Sequence, residues 1–563
     1  MSKILRFLKS KTLGLVFKKG EKQHKNNILN NISMNTYLGQ KGYTINKSEL
    51  SIEKQVKIRN DLMIKPFVMG SPLNDTKTFP AYRESPNKFY VPHYYGVNNF
   101  GQPKEYKISE GVNINLEFNG QLRDYQEPVV NKFVKHCLDV KYGGGLLELY
   151  CAWGKTSASL NIITQLKKKT IVIVHKEFLM NQWIERIQQF LPAARVGKIQ
   201  GPVIDIDDKD IVIAMLQSLS MKDYPSSVFE SFGFTIIDEV HHISSEVFSN
   251  SLFKLVTKYM LGLSATMNRK DGTTPVFKMF LGDVIFKSKR DNDRAVTVRA
   301  IEYYVDDDDF NEVKLDYRGK PQYSSMISKL CEYNRRSEFI LKVLSDMLKE
   351  NSEQQIMILA HNKNLLKYLH DSVAHRNIAT VGYYIGGMKE SALKETETKK
   401  VVIATYAMAA EALDIKTLTT LIMATPKTDI EQSVGRILRE KHSSPIVVDI
   451  VDSHDLFKNQ WRKRKTFYKK ENYKIIYTIS TEYTTDLSKW TVVYTPNSKG
   501  SKECKSIKKK SISIKSNSST EKSITNDSES EDDNDEPEPA SKKTNKIYDD
   551  VCYLHLRNFQ MNI

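Results

Sequence analysis

The chain has 563 residues, 40 % hydrophobic and 27 % charged, which is room for about three or four domains at roughly 100–200 residues each and too much for a disulfide-stapled module. No apolar run approaches the ~18 residues that cross a bilayer, and the five cysteines (Cys137, Cys151, Cys331, Cys504, Cys552) lie far apart without a C-x-x-C pair, which argues against a zinc ribbon, an iron–sulfur cluster and a disulfide framework and points to a reducing compartment. Lys+Arg 84 against Asp+Glu 67 leaves a net charge of +17, a balance that favours a polyanionic partner because each neutralised phosphate releases counterions.

Residues 1–34 form an arm rich in Lys and Arg, with Leu and Phe interleaved; it is either a surface-binding or transit-like amphipathic segment or a frayed terminus. Residues 35–120 are rich in Tyr, Pro and Asn with short extended runs, KFYVPHYYGV and INLEFNG, and read as a small accessory domain of mixed structure. In 121–290 short β-rich runs alternate with helical stretches: Leu146 to Leu149, Thr170 to Val174, Ile211 to Ala214, Phe234 to Ile237 and Met260 to Leu263. That rhythm predicts a parallel sheet covered on both faces. After a polar linker, 291–335, it restarts in 336–480 with Ile356 to Leu359, Val381 to Tyr384, Val401 to Thr405, Leu421 to Ala424 and Ile446 to Ile450. The extension 481–563 turns Ser/Lys-rich and then acidic from Asp527 to Glu538, too polar to offset ordering entropy, so a disordered tail is expected.

The run LLEL empties into Tyr150-Cys151-Ala152-Trp153-Gly154-Lys155-Thr156, followed by the helix-compatible SASLNIITQL. A strand-to-helix loop ending in Gly-Lys-Thr offers backbone N–H groups and a helix N-terminus to phosphate, with the Lys at the β/γ oxygens and the Thr hydroxyl on Mg²⁺. Leu149 stands where the strict pattern has its first glycine, so this turn alone is compatible with an ordinary surface loop. A second run, Phe234 to Ile237, leads into Asp238-Glu239-Val240-His241-His242. A carboxylate at the end of a neighbouring parallel strand can hold Mg²⁺ while the adjacent Glu polarises the attacking water. An acidic surface turn is the alternative; a zinc site on the His pair is disfavoured because adjacent residues of such a segment point apart. Trp183, at helical spacing, is expected in the core rather than stacked on a base.

In this order the residues resemble those of superfamily 2 helicases, specifically the branch that includes XPB and the phage and viral DEVH-type helicases, from about Gln121 to Tyr473. Leu122-Arg123-Asp124-Tyr125-Gln126 resembles the element ahead of the phosphate loop, Ser264-Ala265-Thr266 motif III, Ala404 to Asp414 motif V, and Gln432 to Arg439 motif VI, Q-x-x-G-R-x-x-R. The resemblance implies two tandem RecA-like α/β domains with ATP and Mg²⁺ between them. Lys155, Asp238, Glu239, Gln432, Arg436 and Arg439 would be catalytic. Arg123, Gln126, Ala152, Trp153, Gly154, Thr156, Ser157 and Asp414 would bind nucleotide, Gln126 reading the adenine, and Thr156 and Asp238 would hold Mg²⁺. His241, Ser264 and Thr266 would couple hydrolysis to movement, and His175, Lys176 and Thr405 would contact nucleic acid. Ala152, Trp153 and Ala412 depart from the pattern, yet a live ATPase is expected because the charged set persists.

The N-terminal block, with YLGQKGYTI and FYVPHYYG, resembles the leader domain of helicases from large DNA viruses of eukaryotes. This implies an ATP-dependent, 3′-to-5′ DNA helicase acting in viral transcription, with the viral RNA polymerase as a partner. It also implies a place in the host cytoplasm or viral factory, with packaging in the virion a further expectation; because a two-domain cleft works within one chain, a monomer is expected. A replication or repair helicase on branched DNA, an RNA helicase and a non-catalytic binding scaffold are the alternatives.

Overall fold

The computed structural model describes residues 34–67, 77–140, 142–150, 152–242, 245–267, 269, 271–288, 295–411, 415–438 and 445–496. The basic arm to residue 33, the tail from residue 497, and Cys151, Ala412, Asp414 and Arg439 lie outside them.

Runs with no alternation of apolar and polar positions, such as TIVIV and IVIAM, cannot show one face to water, and their strands Thr170–Val174 and Ile211–Met215 lie inside a sheet covered on both sides. That sheet has eight strands in the order Val203–Ile204, Val196–Gln200, Ile211–Met215, Thr170–Val174, Phe234–Ile237, Tyr259–Ser264, Gly144–Glu148, Val284–Lys287, and all but the first run parallel. A second eight-stranded sheet runs Val381–Tyr384, Val401–Thr405, Gln355–Ala360, Leu418–Met423, Ile446–Asp452, Thr297–Tyr303, Lys474–Ile479, Thr491–Tyr494, with only the last strand antiparallel. The expected α/β architecture is therefore present twice.

The stretch expected as a linker, 291–335, departs from that expectation. Its strand Thr297–Tyr303 sits between Ile446–Asp452 and Lys474–Ile479 in the interior of the second sheet. Arg299 breaks its apolar run in the sequence, but the guanidinium is neutralised by a bidentate contact to Glu350, 2.6 Å on each arm, so the charge is tolerated inside. The same device recurs deeper: Arg336 pairs with Asp452 and Arg464 with Asp449, all with side chains at most 1 % exposed.

The N-terminal block folds into a five-stranded sheet of short strands, with Gly42–Asn46 at its centre. The helix His93–Phe100 lies so close to that strand that a Cβ on Gly96 would sit 2.1 Å from the Tyr43 ring, a position only glycine can fill. The apolar side chains of this sheet join one core with the first α/β sheet, Leu38, Phe89 and Val91 clustering with Ile171, Val212 and Phe277. The connecting segment is strapped to the same unit: Ile114 N–H donates to Lys167 O at 3.0 Å and Asn119 N–H to Phe190 O at 2.7 Å.

Candidate active site

Parallel strands deliver their C-terminal ends to one edge of the sheet, where the following loops form a crevice. The strand Gly144–Glu148 leads to the phosphate-loop turn, and its neighbours Tyr259–Ser264 and Phe234–Ile237 lead to Ser264 and Asp238. Ala152 (φ 69°) and Gly154 (φ 91°) are both left-handed, which turns the chain sharply into the helix Lys155–Leu166 and leaves that helix's first N–H groups facing the crevice. Trp153 is buried, its ring edge-on to Tyr125 at 5.5 Å.

Gln126, buried, directs its amide N–H at Trp153 O (3.0 Å) and Gly154 O (3.2 Å) and accepts from Arg123 N–H at 2.9 Å. Both ends of the amide are engaged within the protein, where they brace the phosphate turn. Arg123 donates to the Tyr125 hydroxyl at 2.6 Å. Ser157 Oγ closes back on Gly154 O at 3.0 Å, and Thr156 lies beside it in the first turn of the helix, half-buried.

Lys155 reaches across to ion-pair with Glu239. Asp238 is buried; its Oδ1 accepts from the Glu239 N–H at 3.0 Å and its Oδ2 from the indole N–H of Trp183 at 2.9 Å. Burial, then the adjacent Glu239 charge, pushes the Asp238 carboxyl above its ordinary value, while Lys155 and the two N–H donors pull it back. Trp183 is thus in the core, as its spacing indicates, yet it also touches the site; no sequence signal announces the contact because the partner stands 55 residues on.

His241 ties three elements together. Ser264 Oγ–H donates to Thr266 O, so with its single proton committed Ser264 accepts from the His241 Nδ1–H at 2.7 Å. His241 Nε2 is then an acceptor, and it meets the side-chain N–H of Gln432, from the second sheet's half of the molecule, at 2.9 Å. Arg269, a residue sequence reasoning gave no role, holds the His241 carbonyl at 2.6 Å and grips Asp271 with the rest of its guanidinium.

Arg436 follows Gln432 by one turn, in Gly435–Leu438, and is buried. His175 is buried just past the strand Thr170–Val174, and Lys176 immediately precedes the helix Glu177–Phe190. Thr405 ends Val401–Thr405 on the other sheet, where its Oγ1 accepts from Met408 N–H at 3.4 Å. Arg439 and Asp414 lie outside the described residues. Among the described residues no cluster of three or more His, Cys, Asp or Glu is assembled. Oxygen donors such as Thr156 and Asp238 suit Mg²⁺, which characteristically takes its remaining ligands from substrate phosphates and water.

Residues 119–269 match the family model described as type III restriction enzyme, res subunit. A candidate ATP-dependent RNA helicase of Acanthamoeba polyphaga mimivirus is 35 % identical over 463 residues, covering 79 % of this chain and 87 % of the relative. The chain belongs to the superfamily 2 helicases of large DNA viruses. The helicase is also 26 % identical to a candidate helicase of Invertebrate iridescent virus 6 over 77 % of its length and 99 % of the relative's. A candidate ATP-dependent RNA helicase of African swine fever virus is 28 % identical over 64 % of the chain and 75 % of the relative. The helicase is therefore an ATP-hydrolysing, nucleic-acid-binding enzyme, and among its described residues no helix is long and apolar enough to cross a membrane.

Proposed function

We propose that the helicase is a DNA translocase moving 3′ to 5′, which hydrolyses ATP in the crevice between its two sheets and acts in viral transcription by releasing transcripts or remodelling the elongation complex. The contact between His241 and Gln432 supports the part of this reading that sets hydrolysis between the two sheets, because it links the candidate hydrolytic cluster on one sheet to a residue carried by the other. Lys155 binds the β/γ-phosphates once it exchanges Glu239 for them, and this frees Glu239 to orient the attacking water. Thr156 and Asp238 would hold Mg²⁺, which neutralises phosphate charge. Arg436 and Arg439 stabilise the charge that develops on the transferred phosphoryl when the two halves close. Gln126 acts by fixing the phosphate turn, with Arg123, Ala152, Trp153, Gly154, Ser157 and Asp414 completing the nucleotide site. Ser264 and Thr266 receive the His241 contact and pass it to the sheet edge, while His175, Lys176 and Thr405 face the strand and grip its backbone without reading sequence.

The division into an accessory block, two motor domains and a tail, a monomeric state, an RNA polymerase partner and a place in the host cytoplasm, viral factory or virion belong to this proposal. The resemblance of the N-terminal block to the leader domain of helicases from large DNA viruses, a family that includes transcript-release DNA helicases, supports a DNA track. RNA is the second reading, favoured by the names that the mimivirus and African swine fever virus relatives carry. Steady-state ATP turnover without polymer and with single-stranded DNA, duplex DNA or RNA decides the track. Stimulation by DNA alone supports the first reading, stimulation by RNA alone replaces it, and no stimulation by any polymer overturns the translocase.

A further inference from the structure

The helix Glu177–Phe190 buries Leu179, Met180, Trp183 and Ile187, the i, i+3/i+4 stripe of an amphipathic helix. Three of these are purely apolar. The fourth carries an N–H, and a buried indole N–H needs an acceptor; here the acceptor is not a neighbouring carbonyl but the Oδ2 of Asp238. The indole is 1 % exposed and packed on all sides, so its N–H direction is fixed by the core. With Oδ1 taken by the Glu239 N–H, the Asp238 carboxylate has one donor on each oxygen and cannot rotate about its χ2 axis without losing both.

The structure assigns Trp183 as the positioning residue for the Asp238 carboxylate: its indole N–H sets the angle at which that carboxylate meets the divalent cation. The assignment rests on the reading of Asp238 as the Mg²⁺-holding group. The outward face of the same helix touches the other half of the molecule, where Asn181 donates to Glu390 at 2.8 Å and Lys394 pairs with Glu185 at 2.7 Å. Phe178, five residues before Trp183, packs against the apolar cores of both halves. The helix that orients the carboxylate is thus the one on which the second half rests.

A structural tryptophan and a positioning tryptophan predict different results when only the N–H is removed. The test uses the full-length protein with Trp183 replaced by β-(3-benzothienyl)alanine, which keeps the bicyclic shape and substitutes sulfur for N–H, alongside Trp183→Phe and Asp238→Asn. Mn²⁺ serves as the probe cation, titrated by electron paramagnetic resonance in the presence of a non-hydrolysable ATP analogue, and metal-free binding of a fluorescent ATP is measured in parallel. The expected result is Mn²⁺ affinity about tenfold weaker in the benzothienyl protein, the range found for lost partners of a metal-holding group, with metal-free nucleotide binding unchanged. Trp183→Phe should follow in the same direction.

Wild-type Mn²⁺ affinity in the benzothienyl protein would overturn the assignment. So would an equal loss of metal-free nucleotide binding, or failure of that isostere to fold, since either would assign the N–H to maintenance of the fold. Asp238→Asn separates the two levels. If it binds Mn²⁺ like the wild type, the reading of Asp238 itself is wrong; if it loses Mn²⁺ while the isostere does not, only the role of Trp183 falls.

Discussion

The side-chain amide of Gln432 donates to His241 Nε2 at 2.9 Å, joining the sheet that carries the phosphate loop to the sheet that carries motif VI. Because His241 Nδ1 is turned to Ser264, the imidazole is held as one tautomer and its Nε2 presents a lone pair to the other half. The contact exists only when the two halves are together, which makes it a reporter of closure rather than of folding.

Removing the donor should therefore uncouple without unfolding. Gln432→Ala is expected to lower nucleic-acid-stimulated ATP turnover about tenfold, the scale of one ordinary hydrogen bond at roughly 0.5–1.5 kcal/mol, while ATP affinity stays within about twofold. A double-mutant cycle with His241→Ala should return an interaction energy of about 1 kcal/mol; strictly additive effects would show that the pair does not communicate.

The Lys155–Glu239 ion pair sets the second expectation. Glu239→Gln removes the carboxylate proposed to orient the attacking water, so turnover should fall about 10²- to 10⁴-fold. It also releases Lys155 from its internal counter-charge, so ATP should bind at least as tightly as in the wild type, as measured by equilibrium fluorescence titration. Weaker binding would mean that Glu239 supports the nucleotide site rather than competing with it.

Two neighbouring substitutions in the phosphate turn should act in opposite directions. A Cβ on Gly154 would lie 2.3 Å from the Gln126 amide nitrogen at φ +91°, so Gly154→Ala is expected to displace Gln126 and cost ATP at least about tenfold in affinity, on the scale of the ~1–2 kcal/mol penalty for a left-handed L-residue. Ala152 already bears such a penalty at φ 69°. Ala152→Gly should relieve it, and after the entropy lost to a looser unfolded chain a net gain of about 0.5 kcal/mol is expected in chemical denaturation.

Asp271 gives a pH signature. Burial raises its carboxyl, but hydrogen bonds from Arg269 and Thr273 outweigh that and bring it from 3.8 to about 2. On acidification the unfolded chain takes up the proton first, so this contribution to stability is fully present above about pH 4 and disappears as the pH falls to about 2. Thermal unfolding of the wild type and Asp271→Asn across that range should show a wild-type advantage that is constant above pH 4 and fades toward pH 2. An advantage at pH 2 as large as that above pH 4 would contradict the assignment.

Strands that are uniformly apolar, such as Ile211–Met215, were legible because a run buried on both faces leaves a continuous signal. Thr297–Tyr303 was not, since its sequence TVRAIEY interleaves charges that are neutralised by partners such as Glu350, 51 residues away from Arg299. Motif order located the phosphate turn, Asp238, Glu239 and His241 at one sheet edge, but it could not show where a side chain is aimed. Gln126 turned out to face the turn's carbonyls, and Trp183 to be both core and donor. The short strands of the N-terminal block carried no period long enough to count, and its packing against the first sheet depends on surfaces that lie far along the chain.

That shared core has a consequence for synthesis. The apolar side chains of the N-terminal sheet share one core with Phe253, Phe277 and Phe280, so a chain emerging from the ribosome presents Leu38, Phe89 and Val91 well before that core can be completed. At about 5–20 residues per second, the roughly 190 residues between Phe89 and the end of the helix Thr274–Leu281 take roughly 10–40 s to appear. For that interval the N-terminal block is a client for chaperones, and a stalled or truncated message would leave it with an apolar face and nothing to close it.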